Sequence, residues 1–550
     1  MPGLLHEREC LSSAGSAERH RGAALGFRRV RGWKRFGSRR DRPDRTETRI
    51  EQGSMPQALY RMSKGSKVWT TRAAEVLAWF CCLFALAACQ PFRPDPRAPE
   101  SGLLPERYTL GEAVAALPGR WWESFEDPEL NALVEGALAA NPTLRQAWAR
   151  LDQARAVAVQ AGSSLYPDLT VSAGAGYSHA HGERSGALRT SGDDYSLGAM
   201  SRYEVDLWGK IRSEREAALL QVDATREDVH AAAMTLAAEV TRLWAAVIAQ
   251  RMQRELLDEQ LRINRIYLEL VNLRFRMALG SALDVYQQQQ IIDRVRAEIP
   301  LVEEQERLSL NQLAVLLGKA PGAAMEIGRK GLPAPSSVPA TGLPADLLAA
   351  RPDVRASMLR LEASDWQVAA ARADRLPNLT LRADFTFGSD DLNRLFDQWL
   401  FSLAADLAAP ILDGRRRAAE VDRTRAVVEE ALARHREVVL TAVREVEDAL
   451  VTEAALREHI GAVEKQLVTA ERALREAQER YRKGLSDYLP VLTQILSTQE
   501  LELNLIRRRS ELLTARVNLY RALGGGWTTD LDPDEGLRTQ GAGKVDRHES

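Results

Sequence analysis

The chain has 550 residues, with 74 Lys+Arg against 76 Asp+Glu and four cysteines. Its first 88 residues hold 17 Lys+Arg and 8 Asp+Glu, so the remainder carries 57 basic and 68 acidic residues, a net of −11. That balance argues against a polyanion such as nucleic acid as a partner.

Residues 1–61 are crowded with arginine and show no apolar periodicity. Such a segment cannot bury a core; it reads as an extension upstream of the true start, or as disordered. From Met62 the pattern changes. Lys64, Lys67 and Arg72 form a charged stretch, Val76–Ala88 is an apolar run of 13 residues, and small residues precede Cys89. The run is too short to span a bilayer, and the whole of 62–88 has the form of a secretory signal peptide. Cys10, Cys81 and Cys82 lie upstream of the cut, which leaves Cys89 alone. A single unpaired thiol is unusual in an oxidising compartment, and acylation would explain it. Leu86-Ala87-Ala88-Cys89 resembles the bacterial lipobox, and Gln90 in the next place implies sorting to the outer membrane. The plain alternative is an ordinary cysteine beside a signal-peptidase site. Residues 89–128 then form a lipid anchor and N-terminal linker.

The remainder repeats. Residues 141–171 and 351–381 agree at eight of 31 positions at an offset of 210, among them Pro142/Pro352, Arg145/Arg355, Leu151/Leu361 and Pro167/Pro377. Arg274–Val285 matches Arg480–Val491, and Leu316–Gly318 matches Ala522–Gly524, both at an offset of 206. The units are 129–318 and 345–524, joined by a Gly/Pro-rich linker at 319–344 and followed by a polar tail at 525–550.

Each unit follows one plan. A helix opens with Pro in its first turn, after the N-cap Asn141 in the first unit. It stops before Tyr166-Pro167 or Leu376-Pro377. Two alternating segments follow, 169–177 and 195–207 in the first unit, 379–387 and 399–407 in the second; period 2 marks strands with one apolar face. A long helix comes next, Lys210–Leu279 or Arg415–Lys483, the first without any Gly or Pro. A short turn leads to a last helix, about 284–317 or 488–523, and Pro300 should bend the first of these. At 1.5 Å per residue each long helix measures about 100 Å, which excludes an ordinary compact domain. The two shorter helices of a unit, end to end, nearly match the long one. Four strands per chain leave open edges, which lipid does not tolerate, so the strands should belong to a barrel closed by several copies. The fold class is mainly α with a membrane β-barrel portion.

A family resemblance now rests on many motifs in order: RWWESFEDPELNALVEGALAANPTL (120–144), YPDLT (166–170), YEVDLWGKIR (203–212), RPDVRA (351–356), PILDGRRRAA (410–419) and REVEDAL (444–450). They resemble the outer-membrane factors of tripartite export systems, the TolC-like family, and its OprM/NodT-type lipoprotein branch. The resemblance spans about 91–527. It implies a homotrimer with a 12-stranded barrel over a long antiparallel α-helical tunnel, in outer-membrane lipid. Its implied partners are a periplasmic adaptor and an inner-membrane pump, of RND type. It implies no cofactor.

The same resemblance assigns roles at the far tips. Adaptor contacts fall on 276–283 and 482–489, with Arg276, Ala278, Gly280, Arg482, Gly484 and Ser486 named. The closing gate falls on Asp284, Tyr481 and Asp487. Ser281 to Asp284 also reads as a capping box, an equal claim on Asp284. The acidic ring of some relatives falls here on Pro490 and Thr493.

No catalytic or metal constellation emerges. His179 and His181 lack a third ligand, and the glycines of 174–176 are not followed by a phosphate-binding helix. Three functions therefore compete: an exit duct for small toxic molecules, including a heavy-metal variant; a duct for secreted proteins; and a periplasmic coiled-coil scaffold. The lipidated branch resembles drug and metal efflux factors, an analogy rather than a physical argument.

Overall fold

The computed structural model describes residues 91–97, 104–110, 119–180, 190–335, 338–339 and 341–531. Cys89, the signal-peptide segment, His181, His548 and the tail beyond 531 lie outside the described residues. All described residues belong to one compact unit.

The elements follow the expected plan. Helix α1 (Pro128–Ala140) is followed by α2 (Pro142–Ser163), strands β1 (Asp168–Ala180) and β2 (Thr190–Val205), and helices α3 (Lys210–Arg276) and α4 (Ala282–Leu316). A single helical turn, Leu347–Ala350, then opens the second unit of α5 (Pro352–Ala373), β3 (Asn378–Ser389), β4 (Trp399–Ala408), α6 (Arg416–Arg482) and α7 (Leu489–Leu523). The repeat is strict in length: α2 and α5 have 22 residues each, α3 and α6 have 67, and α4 and α7 have 35. Two expected boundaries shift. Helix α3 stops at Arg276, three residues short of Leu279, because Ala278 turns into the left-handed region at φ 53°. Strand β2 begins at Thr190, five residues ahead of the expected 195. Helix α4 continues through Pro300 as one element.

The helices lie side by side in two storeys. Near the strands the order is α2, α3, α5, α6; toward the tips it is α4, α3, α7, α6. Helix α3 therefore runs the full height of the first unit while α2 and α4 share its flank end to end. Asn141 joins them: its Oδ1 accepts from the Leu144 amide at 2.9 Å, and its Nδ2 donates to the Leu316 carbonyl at 2.9 Å. One side chain thus caps the start of α2 and the end of α4. In the second unit Arg351 does the related job, donating to the Ala522 carbonyl at the end of α7.

The core is thickest at this mid-level. Val240, Leu243, Trp244 and Ile248 of α3 are fully buried against Leu130, Leu151 and Leu313. Part of α3 is long and apolar enough to cross a membrane by composition, but most of that stretch is buried inside the protein. The matching cluster of the second unit takes in Tyr108, Val446, Leu519 and Leu523.

Candidate functional site

The four strands form one antiparallel sheet in chain order. Register sorts every side chain to a face, because paired residues share a side. Leu197 of β2 lies between Ala173 of β1 and Phe387 of β3, which in turn meets Trp399 of β4. The same face carries Leu169, Val171 and Tyr177, then Tyr203 and Val205, then Leu379, Leu381 and Phe385, then Phe401, Leu403 and Leu407. It is apolar apart from Ser201 and, toward the strand tips, polar residues such as His179, Asp193 and Ser389, yet Val171 is 68%, Leu403 75% and Leu407 69% exposed. The opposite face is Asp168, Thr170, Ser172, Gly174 and Gly176 on β1, with Ser196, Gly198, Arg202 and Glu204 on β2, and comparable residues beyond. A solvated sheet facing a core has its apolar side covered. Here the apolar side faces outward, as for a sheet solvated by lipid. The outer edges of β1 and β4 have no strand partner among the described residues.

The strands turn into helices through a polar clamp. The Asp206 carboxylate accepts from the amides of Ile211 and Arg212 and from the Arg212 guanidinium, which caps α3. Asp413 caps α6 in the same way through the Arg417 amide at 3.2 Å. Asp374, just past α5, accepts from Lys210 at 2.6 Å and from Arg417 at 2.9 Å, so one carboxylate ties both long helices together. Burial opposes its ionisation, and the two cations outweigh burial and hold Asp374 below the usual carboxylate range. The Trp208 indole donates to the Pro377 carbonyl at 2.7 Å and closes the junction.

Residues 91–97 lie along the last turns of α5, where Arg97 grips Asp365 through two hydrogen bonds of 2.5 and 2.8 Å. From there the chain reaches the mid-level, where Trp121 stacks on Tyr520 at 5.3 Å and Trp122 meets Trp527 edge-on at 4.7 Å. Arg516 and Glu453, both 1% exposed, form a buried ion pair beside this cluster.

The tips gather most of the residues singled out from the sequence. Arg276, Ala278, Arg482 and Gly484 are exposed on the two turns, and Gly280 and Ser486 are half-buried there. Met277, Leu279, Leu283, Leu485 and Leu489 surround them with exposed apolar surface. Tyr481 is buried, and burial raises its phenol, with Arg274 opposing and Asp284 assisting. Asp284 and Tyr481 thus lie within electrostatic reach of each other. The Asp284 carboxylate also accepts from the Ser281 amide at 3.0 Å, so the capping box forms. Asp487 is exposed.

Arg274, Gln288 and Asn264 have no role assigned from the sequence, and Tyr488 falls only within the contact segment 482–489. Arg274 stacks on the Tyr481 ring at 4.3 Å and donates to its carbonyl at 3.0 Å. Tyr488, Gln288 and Asn264 form a buried chain: the Tyr488 hydroxyl donates to Gln288 Oε1 at 2.6 Å, and Gln288 Nε2 donates to the Asn264 carbonyl at 2.9 Å. It ties α7 to α4 and α3. Burial pushes the Tyr488 phenol well up. The only signal was Gln288 itself, one of four consecutive glutamines, and only α-helical spacing shows which of the four faces inward. Among the described residues no three His, Cys, Asp or Glu side chains gather as a metal site would need.

Comparison with known proteins agrees with this geometry. Residues 133–319 and 343–525 match the family described as outer membrane efflux protein. The chain is 33% identical over 441 residues to the pyoverdine export outer membrane protein OpmQ of Pseudomonas aeruginosa, covering 77% of this chain and 91% of that protein. It is 32% identical over 458 residues to the outer membrane protein OprJ of the same organism, covering 80% and 94%. Among solved structures it resembles the outer-membrane channel OprN, with a TM-score of 0.74, 26% identity, and coverage of 79% and 99%. It also resembles the outer membrane protein VceC of Vibrio cholerae, with a TM-score of 0.69, 29% identity, and coverage of 74% and 99%.

Proposed function

We propose, from the premise that this chain belongs to the outer membrane efflux protein family, that three copies close one duct through which small toxic molecules leave the cell. The protein is an outer-membrane efflux component with a TolC-like channel fold. The observation that carries the finer reading is the sheet: apolar and exposed on one face, polar on the other, and open at both edges. A sheet in hydrocarbon must pair its edges. Strands of 13, 16, 12 and 10 residues are long enough to span when tilted. Three copies give 12 strands, with the polar face turned inward.

The duct does no chemistry of its own in this reading. Energy comes from an inner-membrane pump of RND type, joined through a periplasmic adaptor that meets the tips at Arg276, Ala278, Gly280, Arg482, Gly484 and Ser486. The exposed apolar collar of Met277, Leu279, Leu283, Leu485 and Leu489 supports that contact. Tyr481, Asp284 and Asp487 form the gate. Cys89 carries the lipid, and the path of residues 91–97 along the strand-proximal end of α5 supports an anchor at that level. Residues 129–318 and 345–524 act as the two repeats, with 319–344 between them. The relatives' names, pyoverdine export and toluene efflux, support small organic cargo.

A clean deletion strain tests the cargo class. Growth is scored against antibiotics, dyes, solvents and metals while secreted proteins are profiled. Sensitivity to small molecules with an unchanged secretome is expected. A missing secreted protein with normal resistance would overturn the reading in favour of protein export.

A further inference from the structure

The polar face of the sheet is not uniform. Toward the tips of the strands it is small and neutral: Ser172, Gly198 and Thr386 in one row, Gly174, Ser196 and Gly388 in the next. Charge collects at the other end, where strands become helices. There Asp168 lies opposite Arg202, Arg202 opposite Arg382, and Arg382 opposite Ala404. The neighbouring rows bring Glu204 and Asp406 on the helix side and Asp384 on the other.

The unexplained feature is the directly opposed pair Arg202 and Arg382. Like charges facing each other across strands are destabilising. Carboxylates stand in the same and adjacent rows, but Asp168 accepts from the Thr170 hydroxyl at 3.5 Å and Asp384 from the Ser402 hydroxyl at 3.3 Å rather than from either guanidinium. Both guanidinium side chains are exposed, and neither makes a hydrogen bond or ion pair among the described residues. Two guanidinium groups on directly paired residues of one face can both donate to a single carboxylate, sulfonate or phosphate group.

We propose that Arg202 and Arg382 form an anion subsite on the inner wall at the base of the duct, where the carboxylate, sulfonate or phosphate group of a cargo molecule is held in passing. The subsite rests on the reading that the polar face lines the duct. Its position follows from that reading: cargo leaving the helical tunnel meets this level before the rows above it, where Asp384 and Asp194 are the charged groups on this face among the described residues. The acidic neighbours keep residence brief. The subsite therefore biases which charged molecules pass and does not trap them.

The test uses the full chain in intact outer membranes, probed from outside with thiol reagents. Met200→Cys places a thiol on the polar face one row above the arginines, and Ser178→Cys places a control on the same face about 30 Å away. Each thiol is reacted with a sulfonate-bearing and a quaternary-ammonium-bearing methanethiosulfonate. The ratio of the two rates is compared with and without Arg202→Ser and Arg382→Ser. Neutralising both arginines should lower the anionic-to-cationic ratio at position 200 on the order of tenfold, and leave it unchanged at 178, which lies beyond the screening length. An unchanged ratio at a reactive position 200 overturns the subsite. A thiol at 200 that neither reagent reaches, in a protein that assembles normally, would instead sink the reading that this face lines a duct open to the outside. The single variants report whether both donors are needed: full loss with either one supports a shared anion, while additive half-effects overturn sharing.

Discussion

Two glycines at the ends of the second unit both have a positive φ and should respond differently to the same substitution. Gly524 follows α7 at φ 79°, and Gly484 follows α6 at φ 72°. A Cβ at 524 would stand 2.6 Å from the Ala350 carbonyl oxygen and 3.0 Å from its carbon, both backbone atoms that no side-chain rotation can move. A Cβ at 484 would meet nothing within 4 Å. Positive φ costs a residue with a Cβ about 1–2 kcal/mol at 484, and at 524, where ψ of −147° puts the residue in a region essentially reserved for glycine, about 1–3 kcal/mol. Only Gly524→Ala adds overpacking, about 1–3 kcal/mol more. The expected totals are roughly 2–6 kcal/mol at 524 and 1–2 kcal/mol at 484.

The consequence is also local. Gly524 lets the end of α7 approach the start of α5, and Gly318 does the same for α4 and Ala140, where an added Cβ would lie 2.7 Å from a carbonyl oxygen. Both variants at this level should loosen the joint at which short helices stack beside the long ones. The assay is the unfolding rate of detergent-solubilised protein followed by circular dichroism at fixed temperature, a measure that survives irreversible unfolding. Gly318→Ala and Gly524→Ala should unfold much faster than Gly484→Ala. Equal rates for all three would refute the claim that close approach, rather than backbone conformation alone, explains the glycines at mid-level.

Further outcomes follow from other contacts. Ala278→Gly should stabilise the protein by about 1 kcal/mol, because Ala278 already sits at φ 53°; slower unfolding is the readout. Arg516→Met alone should cost up to about 3–5 kcal/mol by removing the buried partner of Glu453 and leaving it the half-exposed Arg457 at 3.0 Å, whereas Arg516→Met with Glu453→Leu should recover most of it. Asp374 has its folded pKa below the unfolded value, so its share of stability is present above the ordinary carboxylate range and is lost as pH falls through the lower, folded value. Acid unfolding should therefore be less steep in Asp374→Asn than in the parent protein. Tyr488→Phe should cost about 1–3 kcal/mol by stranding the buried Gln288 acceptor, and should raise permeability to bulky antibiotics if the tip loosens.

Much of the fold was legible because it is written in periodicity and repeated. Period 2 gave the strands, absence of Gly and Pro gave α3, and an offset near 206–210 tied the halves together. What stayed hidden depends on contacts between segments far apart in sequence. Asp374 ties Lys210 to Arg417 across both units, and no local pattern distinguishes it from any other aspartate that follows a helix. The apolar face of β3 and β4 was visible as alternation, but its alignment with β1 and β2 into one continuous surface is a fact of register. Nothing in the local sequence marks Arg274 among the charges of α3, although its guanidinium stacks on the Tyr481 ring.

The two units are alike in length and differ in where they carry strain, and the difference is reciprocal. At the strand end the residue that opens the long helix is Gly209 in the first unit, at φ 75°, and Arg415 in the second, at φ 68°. At the tip the order reverses: the first unit has Ala278 at φ 53° and the second has Gly484 at φ 72°. A residue with a Cβ stays left-handed only where its surroundings hold it there. The first unit is thus relaxed at the membrane and constrained at the tip, and the second is the converse. Helices α6 and α7 meet at a turn free to change its dihedrals, whereas α3 and α4 meet at one that resists. If the tips open by moving one helical hairpin, the glycine turn of α6 and α7 is the one with least to overcome. The buried Tyr488 hydroxyl, bonded across to Gln288 on α4, is then a contact that such a movement must break. Exchanging the pair, with Ala278→Gly and Gly484→Ala together, should shift mobility to the first hairpin. Site-directed spin labels at 279 and 485 would read it, and unchanged mobility at both would remove turn strain as the cause.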